Sequence, residues 1–346
     1  MTETAVFGAG SWGTALAVVL SDNGHHVKIW GRRDDQVEEI NRYHTNERYL
    51  PGVHLPESIS ATSSMVEAVS DAEMIVLVVP TKAMRTVLRE LNKTLAERVI
   101  LVHASKGIET DSLKRISEII ADEIDEAHRK NIAVLSGPSH AEEVALRQPT
   151  TVTVASTDSH SAEWIRDLFM NRRFRVYTNP DMIGVELGGA LKNIIALGAG
   201  LSDGIGYGDN AKAALMTRGL AEISRLGTKM GANPMTFSGL AGMGDLIVTC
   251  TSTHSRNWRA GNMLGKGKSL DEVLDSMGMV VEGVKTTEAA CRLADREGVE
   301  MPIAHRLYKV LFENQKPRQA VESLMGRSRT DEVDKLSELL TEHIQK

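Results

Sequence analysis

Near the amino end of this sequence, Gly8-Ala9-Gly10-Ser11-Trp12-Gly13 spells G-x-G-x-x-G. In that pattern the first glycine permits a tight turn, the second lets backbone approach a pyrophosphate, and the third lets a helix pack closely on a strand. Backbone N–H groups and the positive end of the helix dipole then meet the anion. A glycine turn without a ligand would spell the same, so the context decides. Ala5-Val6-Phe7 precedes the turn as a strand, and Thr14-Ala15-Leu16-Ala17-Val18-Val19-Leu20 follows it as an apolar helix. The next strand ends at Trp30, at the distance a dinucleotide site requires.

The end of that second strand bears on which dinucleotide is held. Sites for NAD usually place Asp or Glu there to accept hydrogen bonds from the ribose 2′-OH. Here the chain reads Trp30-Gly31-Arg32-Arg33-Asp34-Asp35, with glycine at the acidic position and two arginines behind it. A guanidinium fork suits a 2′-phosphate, which predicts NADPH as cofactor with NADH also accepted. An ordinary solvated turn is the other reading of the arginines. Asp34 and Asp35 come late enough to be helix N-cap groups instead.

Three further clusters could carry chemistry. Ala104-Ser105-Lys106-Gly107-Ile108 and Ser136-Gly137-Pro138-Ser139-His140-Ala141-Glu142-Glu143-Val144 follow strand-like runs, where open α/β sheets place their active sites. The third, far downstream, joins Leu240-Ala241-Gly242-Met243-Gly244-Asp245-Leu246 to Thr249-Cys250-Thr251-Ser252-Thr253-His254-Ser255-Arg256-Asn257. Ser255-Arg256-Asn257 offers several donors and one fixed charge, as a phosphate needs; a helix N-cap followed by surface residues would look alike. Lys106 is either a surface charge or a substrate contact. The eleven histidines form no compact ligand pattern, so no metal is predicted.

Positioning such residues takes a buried framework. A chain of 346 residues exceeds one domain of about 100–200 residues, and 42% hydrophobic with 25% charged residues suffices for a core and a solvated surface. The net charge of -6 argues against a nucleic-acid-binding protein, while leaving room for a local cationic pocket and an anionic small molecule. Cys250 and Cys291 alone build no disulfide framework, and they read as buried small hydrophobes. No run of about 18 apolar residues and no basic leader is visible, which predicts a cytoplasmic protein without membrane insertion. The sequence is compatible with a homo-oligomer.

Strand-like runs recur at 4–7, 26–30, 74–79, 99–103, 133–135, 151–155 and 175–177. Ile75-Val76-Leu77-Val78-Val79 is continuously apolar, as a parallel strand buried on both faces would be. Helical segments between most runs predict an α/β fold: a doubly wound Rossmann-type sheet spanning 1–182. From 183 to 346 the pattern turns helical and glycine-punctuated, predicting an all-helical substrate-binding domain. The charged stretch 330–346 fits an amphipathic surface helix.

Taken in order, these motifs resemble the bacterial NAD(P)-dependent glycerol-3-phosphate dehydrogenase family over essentially the whole chain. The resemblance is carried by Gly8-Ala9-Gly10-Ser11-Trp12-Gly13-Thr14-Ala15, Tyr49-Leu50-Pro51-Gly52, Ser105-Lys106-Gly107 and Ser136-Gly137-Pro138-Ser139 with Ala141. It continues through Glu186-Leu187-Gly188-Gly189-Ala190-Leu191-Lys192-Asn193 and Gly239-Leu240-Ala241-Gly242-Met243-Gly244-Asp245-Leu246. It closes with Ser255-Arg256-Asn257 and Val280-Val281-Glu282-Gly283. Met243 departs from the usual leucine, and His140 stands at a variable position.

The resemblance implies reversible reduction of dihydroxyacetone phosphate to sn-glycerol 3-phosphate, which feeds phospholipid synthesis. It implies that Lys192 accepts the proton in alcohol oxidation and donates it in ketone reduction. Lys106, Gly137, Ser139, Asp245, Ser255, Arg256 and Asn257 would contact substrate. The turn glycines Gly8, Gly10 and Gly13, with Ser11, Trp12, Arg32, Arg33, Tyr49, Lys106, Ala141, Arg256, Val280 and Glu282, would contact the cofactor. A lysine snorkelling from an apolar helix is the other reading of Lys192, but Gly188, Gly189 and Ala190 make space beside it for a backbone or ligand.

An ordinary lysine ionises near 10.4, so Lys192 must titrate well below 10 to act as a base at neutral pH. Lys106 nearby would push it down and Asp245 would oppose. A hydroxy-acid or ketopantoate-like substrate on the same architecture is a competing expectation. A silent NADP-binding sensor is another, though it would need neither lysine nor the Ser255-Arg256-Asn257 cluster.

Overall fold

Runs of aliphatic and β-branched residues form β1 (Glu3–Phe7), β2 (His26–Trp30), β3 (Ile59–Thr62), β4 (Met74–Leu77), β5 (Val99–His103), β6 (Arg129–Ser136), β7 (Thr150–Ser156) and β8 (Phe174–Asn179). They make one sheet in the order β3-β2-β1-β4-β5-β6-β7-β8. Between them lie α1 (Ser11–Asp22), α2 (Asp34–Tyr43), α3 (Met65–Val69), α4 (Thr81–Asn92), α5 (Ile116–Glu123), α6 (Ala141–Ala145) and α7 (Ser159–Phe169). The computed structural model describes residues 1–278 and 280–327, so the helix predicted over 330–346 lies outside the described residues.

Central strands alternate between two cores, which is why they read as unbroken apolar runs. Val6, Val76 and Val102 enter the core on one face. Ala5, Phe7, Ile75, Leu77 and Leu101 enter the core on the other. Two features depart from expectation. β3 was not foreseen: Ile59-Ser60-Ala61-Thr62 is a four-residue edge strand, too short for a readable pattern, paired in parallel with β2 from Val27↔Ile59 to Trp30↔Thr62. β6 and β7 pair antiparallel, interrupting the βαβ series. The five-residue α6, about 7.5 Å long at 1.5 Å per residue, cannot carry the chain back along an eight-residue strand.

The described residues gather into two compact units. One holds Met1–Ser105 with Ile116–Met182; the other holds Lys106–Arg115 with the residues from Ile183 onward. The expected continuous span 1–182 is thus interrupted. The inserted segment folds with the helices because Ile108 enters their core, Arg115 pairs with Glu186, and Arg292 donates to the Thr110 carbonyl at 2.6 Å.

The helical unit comprises α8 (Met182–Ile205), α9 (Asp209–Lys229), α10 (Asp245–Thr251), α11 (Arg256–Gly265), α12 (Leu270–Met277), α13 (Glu282–Glu297), α14 (Pro302–Phe312) and α15 (Pro317–Met325). α8 is long and apolar enough to cross a membrane, contrary to the sequence expectation, yet 89% of its most apolar window is buried inside the protein. Glycine makes that burial possible. A Cβ at Gly200 would stand 1.9 Å from the Trp258 carbonyl oxygen, and one at Gly261 1.9 Å from that of Leu197, so α8 and α11 touch backbone to backbone.

A buried carboxylate fastens α9 to the start of α14. Glu222 accepts from the backbone N–H groups of Ile303 at 2.8 Å and Ala304 at 3.3 Å. Burial pushes this carboxyl up to about 7 from its ordinary 4.5, while the two N–H groups pull the other way. The folded value exceeds the unfolded one, so this contribution to stability is fully present below 4.5 and is lost as pH rises through about 7. Thermal unfolding at about pH 5 and about pH 8 should show Glu222→Gln losing less stability on alkalinisation than the parent protein. Equal losses in both proteins would sink this reading. Glu222→Ala should cost about 1–3 kcal/mol by stranding the two amides.

Candidate active site

The helical unit gathers two cations around one carboxylate. α8 carries Lys192, which is 5% exposed, against Asp245, which is 1% exposed and opens α10. The Lys192 ammonium donates to Asp245 Oδ1 and, at 2.7 Å, to Thr249 Oγ1. Thr249 in turn donates to the Asp245 backbone carbonyl at 2.6 Å, one helical turn back. Lys106 Nζ reaches the other oxygen, Asp245 Oδ2, at 2.7 Å. The space beside Lys192 made by Gly188 is filled by backbone: a Cβ there would stand 2.7 Å from the Ala241 carbonyl oxygen. That close approach brings the wide turn Leu240–Gly244, and Asp245 after it, alongside α8.

Removing Lys192 from water disfavours its charged form, and burial pushes its pKa down to about 7 from the ordinary 10.5. Asp245 opposes that shift and Lys106 reinforces it. Among the described residues, two acceptors engage the Lys192 ammonium, which carries three donor hydrogens. The Cys250 thiol, by contrast, is pushed up to about 12 by burial and is no nucleophile.

A polar layer adjoins the cluster. Asn257 donates to Asn193 Oδ1 at 2.9 Å, and its Oδ1 accepts from the Gly283 N–H at 2.9 Å. Ser255 caps α11, accepting from Trp258 N–H at 3.2 Å. The first N–H groups of α11 form a helix amino end suited to an anion. Arg256 is exposed and donates to the Val280 carbonyl at 3.4 Å, just before Glu282 opens α13.

The sheet unit carries the glycine turn. Gly8 has φ of +126°, and a Cβ there would stand 2.8 Å from the Val78 carbonyl oxygen. A Cβ at Gly13 would meet the Gly8 carbonyl oxygen at 1.9 Å, whereas one at Gly10 would find nothing within 4 Å. The three positions thus supply the strained turn, the close helix packing and the open face that a pyrophosphate needs. Beside them the buried Trp12 indole N–H has no partner among the described residues. These features fit a dinucleotide.

Residues 3–162 match the family described as NAD-dependent glycerol-3-phosphate dehydrogenase N-terminus, and residues 181–322 match its C-terminus. The chain belongs to this family. It is 65% identical over 339 residues to the glycerol-3-phosphate dehydrogenase (NAD(P)+) of Bacillus cytotoxicus, covering 98% of this chain and 99% of that one. The enzyme of the same name from Bacillus cereus (strain B4264) is 64% identical over 340 residues, covering 98% and 100%. The crystal structure of glycerol-3-phosphate dehydrogenase from Coxiella burnetii superposes with a TM-score of 0.90 at 39% identity, covering 94% of this chain and 99% of that one.

In this member of the family, Lys106, Lys192 and Asp245 meet directly, and Ser255, Arg256, Asn257, Val280 and Glu282 gather at the facing ends of α11 and α13. Gly137, Ser139 and Ala141 belong to the sheet unit. There Gly137 has φ of +146° and its carbonyl accepts from the Ser139 hydroxyl at 2.9 Å. The two arginines after β2 divide: Arg33 pairs with Asp35, while Arg32 is exposed. Asp34 and Asp35 stand in the first turn of α2 and not at its N-cap, which is Arg33. Gly31 stands at the acidic position, where a Cβ would crowd that of Ala9 at 3.1 Å. Sequence reasoning placed Thr249 and Asn193 within its motifs but gave neither a role. The four-residue spacing from Asp245 to Thr249, one helical turn, was the available signal for the first.

Opposed neighbours give opposed shifts. Removing the anion in Asp245→Asn should move the Lys192 midpoint below about 7, and removing the cation in Lys106→Met should move it above. The 13Cε shift of labelled lysine, followed against pH, reads both; shifts of the same sign in the two variants would contradict the cluster.

Proposed function

We propose that this chain catalyses reversible hydride transfer between NAD(P)H and dihydroxyacetone phosphate, yielding sn-glycerol 3-phosphate. The observation that carries the proposal is the Lys192 amine, buried and held by Asp245 and Thr249 with Lys106 on the same carboxylate. When bound, the reduced nicotinamide supplies a hydride to the carbonyl carbon. Negative charge then grows on the carbonyl oxygen, which needs a proton donor or cation. Lys192 holds that proton at Nζ and releases it to the oxygen. In the reverse direction the neutral amine takes the alcohol proton, and a pKa near 7 leaves a useful fraction neutral. Asp245 orients both lysines, and Lys106 adds a second positive charge. The amino end of α11, with Ser255, Arg256 and Asn257, receives the phosphate.

The sheet unit is the dinucleotide-binding domain in this reading, with the pyrophosphate over Gly10 and the start of α1. Tyr49 and Ala141 are further cofactor contacts. Arg32, exposed and unencumbered by Asp35, takes a 2′-phosphate and favours NADPH. Supply of glycerol 3-phosphate to phospholipid synthesis in the cytoplasm belongs to the same proposal.

Loss of NADPH absorbance should depend on dihydroxyacetone phosphate and fail with unphosphorylated dihydroxyacetone; the opposite preference would refute the substrate assignment. Lys192→Ala should lower kcat by about 10²–10⁴-fold, and kcat/KM for glycerol 3-phosphate oxidation should rise with pH through a midpoint near about 7. Arg32→Ala should cut kcat/KM with NADPH about tenfold while sparing NADH, and an unchanged ratio would remove Arg32 from the site.

A further inference from the structure

Beneath the glycine turn lies a closed set of buried side-chain amides that the reaction itself does not use. Gln36, in the first turn of α2, donates to the Ala9 carbonyl at 2.6 Å and to Asn46 Oδ1 at 3.0 Å. Asn46 lies in the loop after α2 and is fully buried; it donates to the same Ala9 carbonyl at 3.0 Å and to Thr14 Oγ1 at 2.8 Å. A carbonyl oxygen only accepts, so both amides must turn their NH2 groups toward it. All four amide hydrogens are then engaged. The same loop is fastened from outside, where the Ser11 hydroxyl donates to the Tyr49 carbonyl at 2.7 Å.

We propose that Gln36 and Asn46 are positioning residues for dinucleotide binding, acting by locking the Ala9–Gly10 peptide. In a trans peptide the C=O and the following N–H point in opposite directions. Drawing the Ala9 oxygen inward onto two donors therefore turns the Gly10 N–H outward, over the open face where a pyrophosphate oxygen can accept it. Water would compete for a lone exposed carbonyl and let the peptide rotate. A carbonyl held by two buried amides has no such freedom, so the donor is aimed before the anion arrives. This inference rests on the reading of the glycine turn as the dinucleotide site.

Gln36→Met keeps the side chain's length and removes both donors without burying a charge. It should raise the Kd for NADPH about tenfold while leaving kcat at saturating NADPH and KM for dihydroxyacetone phosphate within about twofold. Asn46→Asp, which sets a carboxylate oxygen against the Ala9 carbonyl, should weaken NADPH binding further. In the unaltered protein, amide exchange at Gly10 should slow at least about tenfold on saturation with NADPH. A folded Gln36→Met variant with unchanged Kd, or a Gly10 amide indifferent to NADPH, overturns the locking role. Gly10→Val separates the two claims: if it leaves NADPH affinity intact, the site reading itself fails.

Discussion

A primary amine can be buried only if something replaces the water it loses, and the contact between Lys192 and Asp245 does so here. Everything around the chemistry follows from that requirement. Asp245 must arrive within hydrogen-bonding distance of α8, so the residue one turn before the lysine must be glycine to admit the incoming backbone. The segment that brings Lys106 to the same carboxylate must fold with the helices, although β5, the strand before it, belongs to the sheet. Two positive charges on one carboxylate leave a net attraction for an oxygen that is becoming negative.

In the proposed reading, the sheet unit meets the complementary problem of holding a large anion with few formal charges. It offers oriented N–H groups at the start of α1 and keeps side chains out of their way at Gly10. The amide hydrogens that hold this turn in shape, two from Gln36 and two from Asn46, are all engaged, on Ala9, Asn46 and Thr14. They therefore stiffen the turn where an incomplete network would loosen it.

Much of this is legible in the sequence. Central strands such as β4 and β5 announced themselves because burial on both faces demands an unbroken apolar run. The glycine turn was readable because each glycine answers a separate steric demand. What escaped notice depends on partners far away in sequence. Ile59-Ser60-Ala61-Thr62 is a strand only because β2 offers it an edge. Residues 106–115 follow a sheet strand and pack elsewhere because Ile108 and Arg115 find Ile183-onward partners, with Arg115 meeting Glu186. Asn46 drew no reading from the sequence, since nothing local reveals that its amide closes a network through Ala9 and Thr14.

The glycine seam between α8 and α11 has a bearing on molecular size discrimination. Lys192 rides on one of these helices and the anion-receptive amino end on the other, and where they cross, main chain rests on main chain. Such a joint contains no rotatable groups that could yield, and Asn257 braces it further by holding Asn193. The gap between amine and helix end is thereby set like a fixed gauge. If the proposed substrate contacts hold, a ligand whose oxygen and anionic group lie too far apart would find neither jaw able to move.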